Sequence, residues 1–91
     1  MRSSHEDTLM TMAIHWLDNG VAHINVRGLP PPGPLVAILR LVDARDAPAR
    51  VIVHHDRDPL LLYPELAERH WTVLRITAPD GEVRLQLERG E

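Results

Sequence analysis

Hydrophobic and polar positions alternate over residues 12–26, and this period of two predicts a β-hairpin. A three-residue loop at residues 18–20, with Gly20 in the left-handed conformation, would close it. That register pairs apolar residues on one face: Ile14 with Ile24, Met12 with Val26 and Trp16 with Ala22. A helix over residues 4–20 is the alternative, but its apolar residues would cover roughly 200° of the helical wheel, which is too wide for an amphipathic face. The pattern therefore favours the hairpin.

Helical spacing and turn signals organise the middle of the chain. Residues 33–44 should form a helix, because four apolar residues recur there at helical spacing: Leu35, Ile38, Leu39 and Val42. The continuously apolar residues 51–53 are typical of a strand in the middle of a sheet. A second helix should follow and reach about residue 69, with Asp58 as its N-cap and Pro59 as its first residue. Pro64 interrupts this pattern, so the first turn should be irregular or the regular helix should begin late.

The last part of the chain predicts a second hairpin, closed by a turn at residues 78–81. Its apolar face would pair Thr72, Leu74 and Ile76 with Leu87, Leu85 and Val83. The other face would be polar, with Arg75, Arg84, Gln86 and Glu88. Only one face of this hairpin should therefore be covered by helices.

The order of these elements predicts an α+β two-layer sandwich. Its mixed four-stranded sheet would follow the order β-α-β-α-β-β with both helices on one face. The first hairpin would add an extra N-terminal strand. Residues 1–8 are polar and charged, so residues 1–11 should form a frayed tail, and residues 12–91 should form a single domain.

Composition narrows the classes of function. A net charge of -3 lacks the basic balance that drives nucleic-acid binding, so no nucleic-acid partner is expected. No apolar run is long enough to span a bilayer and no signal peptide is recognisable, so we expect a cytoplasmic protein without a membrane partner. The chain contains no cysteine, which excludes disulfides and thiol chemistry. Its oligomeric state cannot be predicted from these features.

A candidate binding site follows from the topology, because the first two core strands should be parallel and end at the same edge of the sheet. Two helix N-termini should meet there as well, which suits an anion or a partner's carboxylate. The candidate residues at this edge are Arg27, Gly28, His54, His55, Asp56 and Arg57. The alternative is structural: Arg27 pairs with Asp56 or Asp58 and ties the two loops together. Either a protein or a small anionic ligand is the expected partner.

Six histidines raise the question of a metal site. His54 and His55 are adjacent on a strand and should point to opposite faces. His15 and His23 are the better pair, since the predicted register places them directly opposite each other. Two ligands are fewer than a zinc site needs, so we expect no metal and no other cofactor. No catalytic motif is present either, and the chain is not expected to be an enzyme.

Two segments carry a resemblance to known proteins. Residues 27–32 read Arg-Gly-Leu-Pro-Pro-Pro and residues 55–60 read His-Asp-Arg-Asp-Pro-Leu. Together they resemble the domain of unknown function 2249 family, a cysteine-lacking relative of the TusA/SirA-like sulfur carriers, whose Cys-Pro-x-Pro motif opens the first helix. Pro31 stands at the position of that cysteine, which adds it to the candidate site residues and removes the carrier chemistry.

The resemblance covers about residues 21–89 and implies the same sandwich fold. It also implies a bacterial protein with a redox-linked or metal-linked partner, because relatives occur fused to hemerythrin-like domains and near nitrogen-oxide respiration functions. Three functions remain open at this stage. They are a non-enzymatic binding or adaptor module, a weak metal- or haem-binding protein that uses histidines, and a degenerate sulfur-carrier relative.

Overall fold

Strands and helices occupy most of residues 13–90, the part of the chain that the computed structural model describes. In chain order they are β1 (Ile14–Asp18), β2 (Val21–Asn25), α1 (Gly33–Asp43), β3 (Arg50–His55), α2 (Leu62–Glu68), β4 (Trp71–Ile76) and β5 (Val83–Arg89). The predicted tail at residues 1–11 and the predicted pairing of Met12 lie outside the described residues.

The strands form one mixed five-stranded sheet in the order β1-β2-β3-β5-β4. Strands β2 and β3 are parallel, and the other neighbouring pairs are antiparallel. Strand β3 lies in the middle of the sheet, as its continuous apolar run predicts. The α+β two-layer sandwich with an added N-terminal strand is therefore confirmed.

The core lies between the two helices and one face of the sheet. Fully buried helix residues meet fully buried strand residues there: Ile38, Leu62 and Leu66 against Ile24, Val51, Val53, Leu85 and Leu87. The opposite face of the sheet carries no helix within residues 13–90. None of the helices in this part of the chain is both long and apolar enough to cross a membrane.

The register of the first hairpin differs by one residue from the prediction. The turn has two residues rather than three, because Asn19 (φ 52°) and Gly20 (φ 77°) both adopt left-handed conformations, and Asp18 pairs with Val21. A one-residue shift turns every side chain of β1 to the other face. Strand β1 exists as predicted, but its predicted apolar pairs are wrong.

The second hairpin is also shifted by one residue. Val73 pairs with Leu87, whereas Leu74 pairs with Gln86 and Ile76 with Arg84. The physical reason is that Trp71 is buried on the helix-covered face. Because side chains alternate along a strand, every second residue of β4 counted from Trp71 points to that same face. Leu74 consequently lies 59% exposed on the open face.

Helix α2 begins late, as the position of Pro64 predicts. Its N-cap is Leu61, so Pro64 falls in the first turn, where a missing N–H costs no intrahelical hydrogen bond. The prediction of Asp58 as N-cap and Pro59 as first residue is wrong. The Asp58 carboxylate instead accepts a hydrogen bond from the Tyr63 hydroxyl.

Candidate functional site

The carboxyl ends of the parallel strands β2 and β3 bring the two candidate loops together. The backbone N–H of Gly28 donates to Oδ2 of Asp56 at 3.1 Å, and Val26 N–H donates to the carbonyl of His54 at 3.0 Å. The Gly28 hydrogen bond, acting against the opposing effect of desolvation, lowers the pKa of Asp56. Asp56 is therefore a structural link between the two loops.

Arg27 does not form the predicted pair with Asp56 or Asp58. Its Nη1 lies 3.3 Å from Oε1 of Glu82, and its Nε donates to Oδ1 of Asn25 at 3.2 Å. Glu82 follows the turn that joins β4 to β5, a segment far from Arg27 in sequence. Arg27 thus ties the edge of the sheet to this turn, whereas Arg57 keeps 66% of its side chain exposed beside Asp56.

His55 projects to the helix-covered face and is 3% exposed. Its Nδ1 accepts the backbone N–H groups of Asp56 at 2.9 Å and Arg57 at 3.3 Å. Burial lowers the pKa of His55, although Asp56 acts in the opposite direction. Because both amide hydrogens point at Nδ1, that nitrogen accepts them and the neutral ring carries its proton on Nε2, so the 3.2 Å contact of Nδ1 with Oδ1 of Asp56 is not a hydrogen bond.

An apolar groove of about 260 Å³ lies at this edge, between the segment that precedes α1 and the segment that precedes α2. We call it the edge groove. Ten apolar residues form its walls: Leu29, Pro31, Pro32, Pro34, Leu35, Ile38, Pro59, Leu60, Leu61 and Leu62. His55, Arg57 and Asp58 supply its polar lining. Three of the candidate residues predicted from sequence, Pro31, His55 and Arg57, therefore share one concave surface.

His54 points to the opposite, open face of the sheet, so the two adjacent histidines separate as predicted. Its Nε2 lies 2.9 Å from Nδ1 of His23, and its Nδ1 lies 2.8 Å from Oε2 of Glu82. Trp16 stacks on His23 with ring centroids 5.0 Å apart. Arg84 donates to the same Glu82 oxygen at 2.8 Å. We call these five residues the open-face network.

The negative charge of Glu82 determines which ring nitrogens of the open-face network carry a proton. Burial acts to raise the pKa of Glu82, but hydrogen bonds from Arg84 and His54 outweigh it, and the net shift is downward. The ionised carboxylate can only accept, so His54 Nδ1 donates to it. Burial lowers the pKa of His54 despite the Glu82 hydrogen bond. In the neutral His54 ring Nε2 is therefore the acceptor, and His23 Nδ1 donates.

The predicted pairing of His15 with His23 is wrong. The two-residue turn places His15 opposite Ile24 and Trp16 opposite His23. His23 is paired with His54 of β3 instead. Within residues 13–90, no group of three or more metal-ligating side chains converges.

Sequence reasoning missed Trp16, Glu82 and Arg84 as members of a site. A signal for Arg84 would have come from the register of β3 with β5, which places Arg84 directly opposite His54 on the same face. Glu82 had no such signal. It lies outside the strands, and only the path of the chain after the Pro79–Glu82 turn brings its carboxylate under the sheet edge.

Acidification should destabilise the protein in the range where histidine titrates. The pKa values of His54 and His55 are lowered in the folded state, so the unfolded chain, with a pKa near 6.5, takes up protons first. Stability should be complete above that pH and fall as the pH decreases below it. We expect a loss of about 1 to 2 kcal/mol between about pH 7 and pH 5.5, measured by urea denaturation.

The exposed His15 provides the control for this experiment. His15→Gln should retain the full pH dependence. The lowered pKa values of Asp56 and Glu82 act in the same direction but at more acidic pH, below their unfolded values near 4. A stability that stays constant or rises from pH 7 to pH 5.5 would contradict the neutral assignment of the two buried rings.

Comparison with known proteins places the chain in a family. No curated protein and no solved structure matches it. The family model described as "Uncharacterized conserved protein (DUF2249)" matches residues 23–89, a range from β2 to the end of β5. That range includes both loops of the edge groove and most of the open-face network. The chain therefore belongs to the DUF2249 family.

Proposed function

We propose that this protein is a small, non-enzymatic binding module, and that the edge groove is its recognition site. The observation that carries the proposal is an apolar groove with exposed leucines on its rim and a buried imidazole in its wall. Leu60 and Leu61 are 69% and 76% exposed, which is unfavourable for a surface without an occupant. A protein or a small anionic ligand is the proposed partner.

The chemistry of the remaining side chains supports binding rather than catalysis. His55 Nδ1 is held by two backbone amides and cannot act as a base without losing both hydrogen bonds. The chain has no cysteine, and its two serines, Ser3 and Ser4, lie outside the described residues. Among the described residues that line the groove, none is a serine, threonine or cysteine that could act as a nucleophile beside the imidazole.

The family resemblance supports the wider context of the proposal. We propose a relation to the TusA/SirA-like sulfur carriers in which Pro31, at the groove wall, has replaced the carrier cysteine. We also propose a bacterial, cytoplasmic setting and a partner linked to redox or nitrogen-oxide metabolism. Without a thiolate, such a descendant would retain the carrier's binding edge but not its covalent chemistry.

A metal-binding function is the second candidate, and the contact between His23 and His54 favours it. Two imidazole nitrogens lie 2.9 Å apart at a surface that no helix covers within the described part of the chain. A catalytic zinc site uses three protein ligands, and this pair supplies two. The proposed metal function therefore ranks below the proposed groove function.

The groove function can be tested with a simple apolar probe. Titration of the ¹⁵N-labelled protein with hexan-1-ol should shift the amides of residues 35, 38, 55 and 61 together, because all four residues line the groove. Leu61→Asp should weaken binding about fivefold or more, since it places a charge where apolar surface is buried.

Leu74→Asp is the matched control, because Leu74 is another exposed leucine but lies on the open face. It should leave the affinity for hexan-1-ol unchanged. Shifts scattered over the whole surface, or equal losses in the two variants, would refute the assignment of the recognition site to the edge groove.

A further inference from the structure

The buried imidazole in the wall of the edge groove offers one donor to an occupant. His55 Nδ1 faces the backbone of residues 56 and 57, so Nε2 lies on the other side of the ring. Within residues 13–90, no fully buried side-chain nitrogen or oxygen lacks a hydrogen-bond partner. Because no described residue accepts the Nε2 proton, that atom is not fully buried, and the surface it reaches is the groove that His55 lines.

The N-terminus of α1 adds a second donor to the same groove. The helix has no side-chain cap and no acidic residue in its first turn. Gly33 N–H donates to Pro30 at 2.7 Å, Val36 N–H donates to Pro32 at 3.0 Å, and Pro34 has no N–H. The remaining first-turn amide is that of Leu35, a groove residue. The positive end of the helix dipole therefore has no anionic side chain in its own first turn and no side-chain cap.

The charged side chains at the rim of the groove are the third feature that bears on its occupant. Arg57 lines the groove with an exposed guanidinium. Asp58 is the opposing charge, but its carboxylate is engaged by the Tyr63 hydroxyl. Burial and the hydrogen bond to Asp58 raise the pKa of Tyr63 to about 12, so this donor stays protonated at neutral pH. The side-chain polar groups in the lining are therefore the N–H donors of His55 and Arg57 and the Asp58 carboxylate, so donors outnumber acceptors.

We infer that the edge groove binds a small apolar acid, with its carboxylate at His55 Nε2 and the start of α1 and its hydrocarbon body against the prolines and leucines. The inference rests on the proposed binding function and names its ligand class. A carboxylate only accepts hydrogen bonds, which matches a site that presents donors. A cavity of about 260 Å³ is at the small end for ligand sites, which suits a free acid with a short chain.

The test compares three probes that share a six-carbon chain and differ in the head group. Hexanoate, hexan-1-ol and hexylamine are titrated into the full-length protein at neutral pH and followed by NMR. Hexanoate should bind about tenfold more tightly than hexan-1-ol, the gain expected for a charge-assisted hydrogen bond in a buried site. Hexylamine should bind most weakly, because the groove offers its ammonium few acceptors.

Variants then locate the head group. Arg57→Gln should weaken hexanoate binding about threefold and leave hexan-1-ol unchanged, whereas Arg50→Gln, at the opposite end of β3, should affect neither. His55→Phe should abolish most of the preference for hexanoate over hexan-1-ol. If the His55 variant does not fold, the result for Arg57→Gln decides the test.

The outcomes separate this inference from the groove function itself. Equal or tighter binding of hexan-1-ol at the groove would overturn the acid specificity and leave the binding module intact. If none of the three probes shifted the NMR signals of the groove residues, both the acid specificity and the groove function would be overturned.

Discussion

Replacing Glu82 by glutamine should lower the free energy of unfolding by about 2 to 4 kcal/mol, the range for removing one partner from a largely buried charge network. The Glu82 side chain is 6% exposed and accepts from Arg84, His54 and Arg27. Glutamine keeps the shape but offers one acceptor oxygen in place of two, and its amide group would face donors. Urea denaturation of the variant at neutral pH measures the loss.

Glu88→Gln is the matched control for this substitution. Glu88 lies in β5 and, like Glu82, pairs with an arginine, Arg50, at 2.5 Å, but both side chains are about half exposed. An exposed pair contributes about 1 kcal/mol or less. If the two variants lost the same stability, the burial of Glu82 would have no energetic weight, and the open-face network would be only a set of surface contacts.

Truncation of Ile38 to alanine should cost about 2 to 4 kcal/mol, the usual range for removing a buried aliphatic side chain. Ile38 is 1% exposed and packs between α1 and the sheet. The cavity that remains would also lie directly beneath the edge groove, which Ile38 helps to line. Thermal or urea unfolding should report the loss.

Leu61→Ala serves as the comparison, since Leu61 lies on the rim of the same groove and is exposed. Its stability should change by about 0.5 kcal/mol or less. A near-neutral result for Ile38→Ala would mean that helix α1 contributes a different face to the core than the structure shows.

The element order was predictable from sequence because it depends on strong local signals. The apolar residues of α1, the continuous apolar run of β3 and the position of Pro64 each predicted their element correctly. Hairpin register was not predicted, although Asn19-Gly20 is itself a strong signal for a two-residue turn. Giving that signal precedence over the pairing of Ile14 with Ile24 would have produced the correct register.

The candidate site was predicted in part for similar reasons. Parallel strands and a short connection after each necessarily bring Gly28 close to Asp56, and the sequence showed this. The partners of Arg27 and His54 could not be foreseen, because Glu82 reaches them from a turn whose path depends on the register of β4 with β5. Likewise, a tautomer such as that of His55 depends on backbone amides within hydrogen-bond distance, which a sequence does not display.

The length of the Asn19-Gly20 turn also determines which side chains of β1 lie on the open face of the sheet. If Asp18 joined Asn19 and Gly20 in a three-residue turn, β1 would shift by one residue, its faces would reverse, and His15 would lie opposite His23 in place of Trp16. His15, His23 and His54 would then share the open face, with Glu82 behind His54 as a carboxylate that orients a ligating ring. Three imidazoles are the protein ligands of a catalytic zinc site. A one-residue shift of β1 therefore separates a stacked aromatic surface from one that gathers three imidazoles, and redesign of the turn is a short route between them.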